Sequence, residues 1–181
     1  MVATATNSSF DVAYWFFNRA ESDGIYLEDE KLHHLLFIAQ CKYIQAYQNR
    51  LLMPCVFACN NKGFFEPNVK KIFEQGRPYM PPIKLDDKVS TFLNDIWSKF
   101  GKLSVLQLSN IITQIPLHKK NYSEAETNVI SWDSLIDKSL EYGTISAETT
   151  KNEFKKKVLV SQNGPVVVSQ WKPRKINDVK I

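Results

Sequence analysis

Up to about residue 140, apolar positions recur mostly at helical spacing. From Phe10 to Ala20 the run FDVAYWFFNRA is nearly all apolar or aromatic on one side, which predicts a largely buried helix with Ser9 as its N-cap. Asp23-Gly24 breaks the chain. Between about Glu28 and Tyr47, the residues Leu32, Leu35, Leu36, Ala39, Tyr43, Ala46 and Tyr47 follow the i, i+3, i+4, i+7 rhythm of an amphipathic helix. Glu28, Asp29 and Glu30 fall in its first turn, where negative charge complements the helix dipole.

Pro54 forbids a continuous helix through residues 51–65. Val56 and Phe57 suit a short extended piece, and Asn60-Asn61-Lys62-Gly63 suits a turn. Glu66 to Gln75 reads as a short helix, with Pro67 in its first turn and Gly76 just past its end. Residues 77–82, RPYMPP, form a proline-stiffened connector. A further helix is expected over Asp87–Lys99, capped by Asp86, facing Val89, Phe92, Leu93, Ile96 and Phe100 inward and closed by Gly101. Another starts behind Ser104 and ends near Gln114, where Pro116 stops it. Ser123 and Glu126 match a capping box, and Ile130-Ser131-Trp132-Asp133 opens a last helix to about Leu140. The rhythm then changes. Residues 158–162, VLVSQ, and 166–171, VVVSQW, are near-identical β-branched runs around Asn163-Gly164-Pro165, a hairpin whose proline implies a loop looser than two residues.

The expected fold is mainly α: a compact multi-helix domain of five to six helices over residues 9–149, behind a frayed start at 1–8 and ahead of a β-hairpin tail at 150–181. A chain of 181 residues suits one such domain and needs no disulfide or metal for stability. Charge sharpens the division. Residues 150–181 hold eight Lys or Arg against Glu153 and Asp178, whereas the preceding residues are close to neutral. A domain built around a basic nucleic-acid face is thereby disfavoured, and the tail becomes the electrostatic candidate. Cys41, Cys55 and Cys59 are odd in number, and the opening MVATATNSSF lacks the basic start and apolar core of a signal peptide. No apolar run approaches the length of a membrane span. The expectation is a cytoplasmic protein with reduced thiols and no membrane association.

Candidate chemistry is sparse. Cys55 and Cys59 lie four apart, not at the spacing of a zinc knuckle, and no second cysteine pair follows. His33 and His34 are helix neighbours pointing about 100° apart, so one is expected at the edge of the core and one in solvent. No nucleophile elbow, phosphate loop, dinucleotide glycine signature or metalloprotease helix occurs. A non-enzymatic protein without cofactor or metal is the expectation. Two segments carry residue types favoured at interfaces. Lys62, Gly63, Phe64 and Phe65 place adjacent phenylalanines after a turn, at least one of them partly exposed, and Arg77, Tyr79 and Met80 sit in the connector. In the tail, Lys155, Lys156, Lys157, Trp171, Lys172, Arg174 and Lys175 bracket the hairpin with cations. They suit protection of a strand edge, contact with a protein, or stacking and phosphate contact with nucleic acid.

A family resemblance adds a functional expectation. Phe10-Asp11-Val12-Ala13-Tyr14-Trp15-Phe16 and then Lys31-Leu32-His33-His34-Leu35-Leu36-Phe37-Ile38-Ala39-Gln40 resemble the opening helices of the SocA-like antitoxins, also called Panacea-domain or phage-associated GepA-like proteins. Arg50-Leu51-Leu52, Lys62 to Val69, Leu106 to Ile111, Pro116 and Ile130 to Asp133 stand where that family has its later motifs. Phe64 replaces the family proline, and the Thr-His and Pro-Trp signatures are absent. The likeness spans roughly residues 9–140. It implies a helical, bacterial, antitoxin-like or proteolytic-adaptor-like module, monomeric or homodimeric, that neutralises a toxin-like protein or delivers it to a protease. Nucleic-acid binding through the basic tail is the alternative.

Overall fold

Thr4 pairs with Leu51 in a parallel bridge at the start of the chain, in a computed structural model that describes residues 4–47, 50–74, 76, 78, 84–124, 127–130 and 135–136, together with the strand backbones of 157–161 and 164–168. The start is not frayed from Thr4 onward. The amides of Ala5 and Thr6 donate to the Leu52 carbonyl, and the buried Thr6 hydroxyl does the same at 3.1 Å. Backbone groups satisfied in this way hold the segment against the core.

Helix α1 (Ser9–Ser22) begins one residue earlier than its sequence suggests. Ser8 is the cap, accepting from the Phe10 amide, while Asp11 accepts from the Ser8 amide in a reciprocal box. Helix α2 (Asp29–Ala46) matches its predicted span, and Leu32, Leu35, Leu36, Ala39 and Tyr43 of its predicted face are buried, but Ala46 and Tyr47 are exposed and burial extends well beyond that face. Every residue from Lys31 to Cys41 is buried, because α1, α4, α5 and the first hairpin surround it. The polar Gln40 tolerates complete burial there. Its side-chain amide accepts from the Met53 N–H at 3.1 Å and donates to the Met53 carbonyl at 3.3 Å, in place of a backbone partner.

The extended piece after Pro54 becomes strand β1 (Phe57–Asn60), which pairs antiparallel with β2 (Gly63–Phe65). Helix α3 (Pro67–Phe73) follows at once. Helix α4 (Asp87–Phe100) is capped by Asp86 and closed at Gly101 as expected. It also buries Trp97, whose indole N–H donates to Asp23 at 2.7 Å, while Phe92 is only half-buried. Helix α5 (Val105–Thr113) starts behind a Ser104–Gln107 capping box. Pro116 does more than stop α5. It stands at the first turn of another helix, α6 (Pro116–Asn121).

Ser123, Glu124, Thr127 and Asn128 are non-helical, and where the last helix is expected to open at Ile130 the chain instead forms strand β3 (Val129–Ile130), which pairs with β1 to complete a three-stranded antiparallel sheet of order β2-β1-β3. The reason lies in tertiary pairing: Ile130 reaches the core opposite Phe57, and the Cys59 amide takes the Asn128 carbonyl. Of the last predicted helix, the described residues Leu135 and Ile136 are helical.

The chain divides into two units, Met1–Ala147 and Glu148–Ile181. In the second, strands β4 (Lys157–Ser161) and β5 (Gly164–Val168) form the predicted hairpin. Its register differs from the sequence expectation. Ser161 pairs with Gly164 and Val160 with Pro165, so the strands come within two residues of each other and Pro165 lies inside a strand. The architecture is mainly α, with six helices among the described residues.

Candidate functional site

The β1–β2 turn is built by Asn60. Its side-chain oxygen accepts from the amides of Lys62 at 2.9 Å and Gly63 at 3.1 Å. Gly63 holds a φ of +139°, and a Cβ there would stand 3.0 Å from Ile112 and 3.1 Å from the His34 ring. Only glycine suits both the backbone and the close approach. The turn is anchored from outside as well: the Ser109 hydroxyl donates to the Lys62 carbonyl at 2.6 Å, and His118 Nε2 meets the Asn60 carbonyl at 2.8 Å.

This fixed turn separates the two phenylalanines by the alternation of a strand. Phe64 is 1% exposed and stacks on Phe37 with ring centroids 4.1 Å apart. Phe65 is half-buried, with the Lys70 ammonium 4.7 Å from its ring centroid. Of the turn residues expected at a partner surface, Lys62 and Phe65 are available. Gly63 and Phe64 are not, because Ile112 and His34 close in on Gly63 and the pleat turns Phe64 into the core. Arg77, Tyr79 and Met80 lie outside the described residues, as do Lys155, Lys156, Trp171, Lys172, Arg174 and Lys175; Lys157 is described only by its place in β4.

Beneath the hairpin lies a cleft of about 320 Å³, at the small end of ordinary ligand sites. The first turns of α2 supply Glu30, His33 and His34, the hairpin supplies Lys62 and Phe65, and α3 supplies Lys70 and Phe73. Both histidines are buried, correcting the expectation that one is solvated, and both border the same cleft despite their angular separation. Both the hairpin and α3 pack against α2, and residues of all three line the cleft. Burial is the largest influence on each imidazole, and both are pushed down to about 4, hence neutral near pH 7. The neighbouring His34 and then Lys70 reinforce this for His33, while Glu30 opposes it for His34.

The two rings differ in their partners. His33 Nδ1 accepts from the Glu66 amide at 3.4 Å, which places its proton on Nε2. His34 has no hydrogen-bond partner at either nitrogen; Glu30 is nearest, at 3.7 Å from Nε2, and is itself paired with Lys62 at 2.8 Å. Glu66 is fully buried, capping α3 by accepting from the Val69 amide and from the Asn68 side chain. Burial raises its carboxyl above the usual range, with those hydrogen bonds pulling the other way.

Cys55 and Cys59 flank this region as buried free thiols. Burial pushes Cys59 up to about 11, and burial with the nearby Glu66 raises Cys55 well above the usual thiol value, so neither is poised as a nucleophile. Among the described residues no group of three or more His, Cys, Asp or Glu side chains is placed to hold a metal ion, and no helix is long and apolar enough to cross a membrane. Sequence reasoning missed Lys70, Phe73 and Glu66 as members of the site. The short spacing from the Lys62–Phe65 turn to the proline-started α3 was the signal that they would return to it. Comparison with known proteins finds no matching family model, no matching curated protein and no matching solved structure.

Proposed function

We propose that this chain is a non-enzymatic protein-binding module, antitoxin-like or proteolytic-adaptor-like, that engages its partner across the mouth of the cleft formed by α2, the β1–β2 hairpin and α3. The observation that supports this reading most directly is the split of the hairpin phenylalanines. Phe64 anchors the hairpin in the core, and the same rigid turn presents Phe65 and Lys62 at the surface beside Lys70. An aromatic ring held by packing and flanked by cations loses little entropy on binding, which is the character of an interface hot spot. The resemblance of residues 9–140 to SocA-like antitoxins supports the same class of activity.

The test is a comparison. Full-length protein and a Phe65→Ser, Lys62→Glu double variant are used as baits in lysate from the source cell, with bound proteins quantified by mass spectrometry. The reading expects a protein retained by the unaltered chain and lost, about tenfold or more, from the equally folded variant, as for removal of a hot spot worth ~1.4 kcal/mol or more. Equal retention by both baits, or none by either, refutes it.

A further inference from the structure

We propose that the cleft between α2, the β1–β2 hairpin and α3 takes a peptide carboxylate adjoining an apolar side chain, with the carboxylate held by the His33 Nε2–H and the Lys70 ammonium. The inference rests on the protein-binding reading and names the group by which the partner is recognised.

His33 is only 5% exposed, yet its Nε2–H is unspent. The Glu66 amide occupies Nδ1, and no described protein group accepts from Nε2. Nor is that nitrogen sealed away, as both nitrogens of His34 are. His33 borders the cleft, which is where its open donor can meet an acceptor. Because that N–H is open, an acceptor on a ligand can take it in place of solvent.

Lys70 supplies the charge. Its ammonium lies over the Phe65 ring and 3.8 Å from Glu74, and both partners of that ion pair are about half exposed, so the pair is weakly held and readily exchanged. Lys62, by contrast, is committed to Glu30 at 2.8 Å. The cleft also carries carboxylates: Glu30 is committed to Lys62, Glu74 is loosely paired with Lys70, and Asp29 is exposed. A ligand carboxylate that displaces Glu74 finds a hydrogen bond from the His33 Nε2–H and one from the Lys70 ammonium, the stronger charge-assisted kind. The rings of Phe65 and Phe73 beside these donors provide the apolar surface for an adjoining side chain.

The test uses the full chain, labelled with nitrogen-15, and follows the His33 ring nitrogens by NMR. N-acetylphenylalanine presents a terminal carboxylate beside an aromatic ring, and N-acetyl-glutamyl-phenylalaninamide presents a side-chain carboxylate. Phenylacetamide and phenethylamine are the neutral and cationic counterparts. A saturable shift of His33 Nε2 is expected with one or both carboxylates, and the one effective at lower concentration identifies the source. Lys70→Met should weaken that binding about tenfold, as for loss of one charge-assisted hydrogen bond, while Lys119→Met on α6 leaves it unchanged. Unaltered melting of Lys70→Met establishes that the loss is local. Equal binding of the amide or amine, no binding of either carboxylate, or indifference to Lys70→Met overturns the proposal. Because these probes need no partner protein, their failure alongside intact partner capture rejects the carboxylate and leaves the protein-binding reading in place.

Discussion

At the scale of single residues, the site depends on one strand alternation. Phe64 and Phe65 are chemically identical neighbours with opposite duties, one stacked on Phe37 and the other facing the cleft. Truncating Phe64 to alanine removes a ring that is 1% exposed and leaves a cavity between α2 and the sheet, so unfolding free energy should fall by about 3–5 kcal/mol. The same change at half-buried Phe65 should cost less than about 1.5 kcal/mol, because water already reaches that ring and little void is created. Urea titration of the two variants checks the contrast. Similar losses at both sites would mean that Phe65 belongs to the core and cannot serve a partner.

At the scale of elements, α3 shows how a short helix is made to persist. Seven residues are too few for independent stability. Pro67 presets its first turn, Phe73 packs among Phe10, Tyr14 and Phe17 of α1, and Glu66 caps the end while sitting wholly in the interior. Glu66→Ala leaves the Val69 amide without its acceptor, which should cost about 1–3 kcal/mol and loosen α3, seen as faster amide exchange at Val69 and Lys70 than in α4. Unchanged exchange would show that the packing of Phe73 alone holds the helix. The sequence made this helix legible through Pro67 and Gly76, and α4 through Asp86 and its apolar rhythm, because caps and periodicity are local. What it concealed was non-local. Strand β3 takes the place of the helix start expected at Ile130 because Ile130 has a place beside Phe57, and α2 loses its solvent face because the hairpin and α5 close over it. For the same reason His33 and His34 border one cleft although they stand about 100° apart on a helical wheel.

At the scale of the whole molecule, two buried histidines tie stability to pH. Each is held near 4 in the folded protein, mainly by burial, against 6.5 for a free imidazole. Between those values the unfolded chain binds protons that the folded chain refuses. The stability due to neutral His33 and His34 is therefore complete above about pH 6.5 and is lost as pH falls toward 4, with a slope approaching ~1.4 kcal/mol per pH unit for each histidine. Glu66 acts in the opposite sense, because its raised folded value makes its contribution disappear as pH rises through it. The histidine share is isolated by comparing the unaltered protein with a His33→Gln, His34→Gln double variant in urea titrations at pH 7.5, 6.5, 5.5 and 4.5. The variant should be less stable at neutral pH, since its amides fill the rings' places imperfectly. It should also lose less stability on acidification, so that the two curves converge toward pH 4.5. Parallel curves would show that the two imidazoles are already solvated in the folded protein. The cleft would then be an open, water-filled notch rather than a site that keeps an unspent donor.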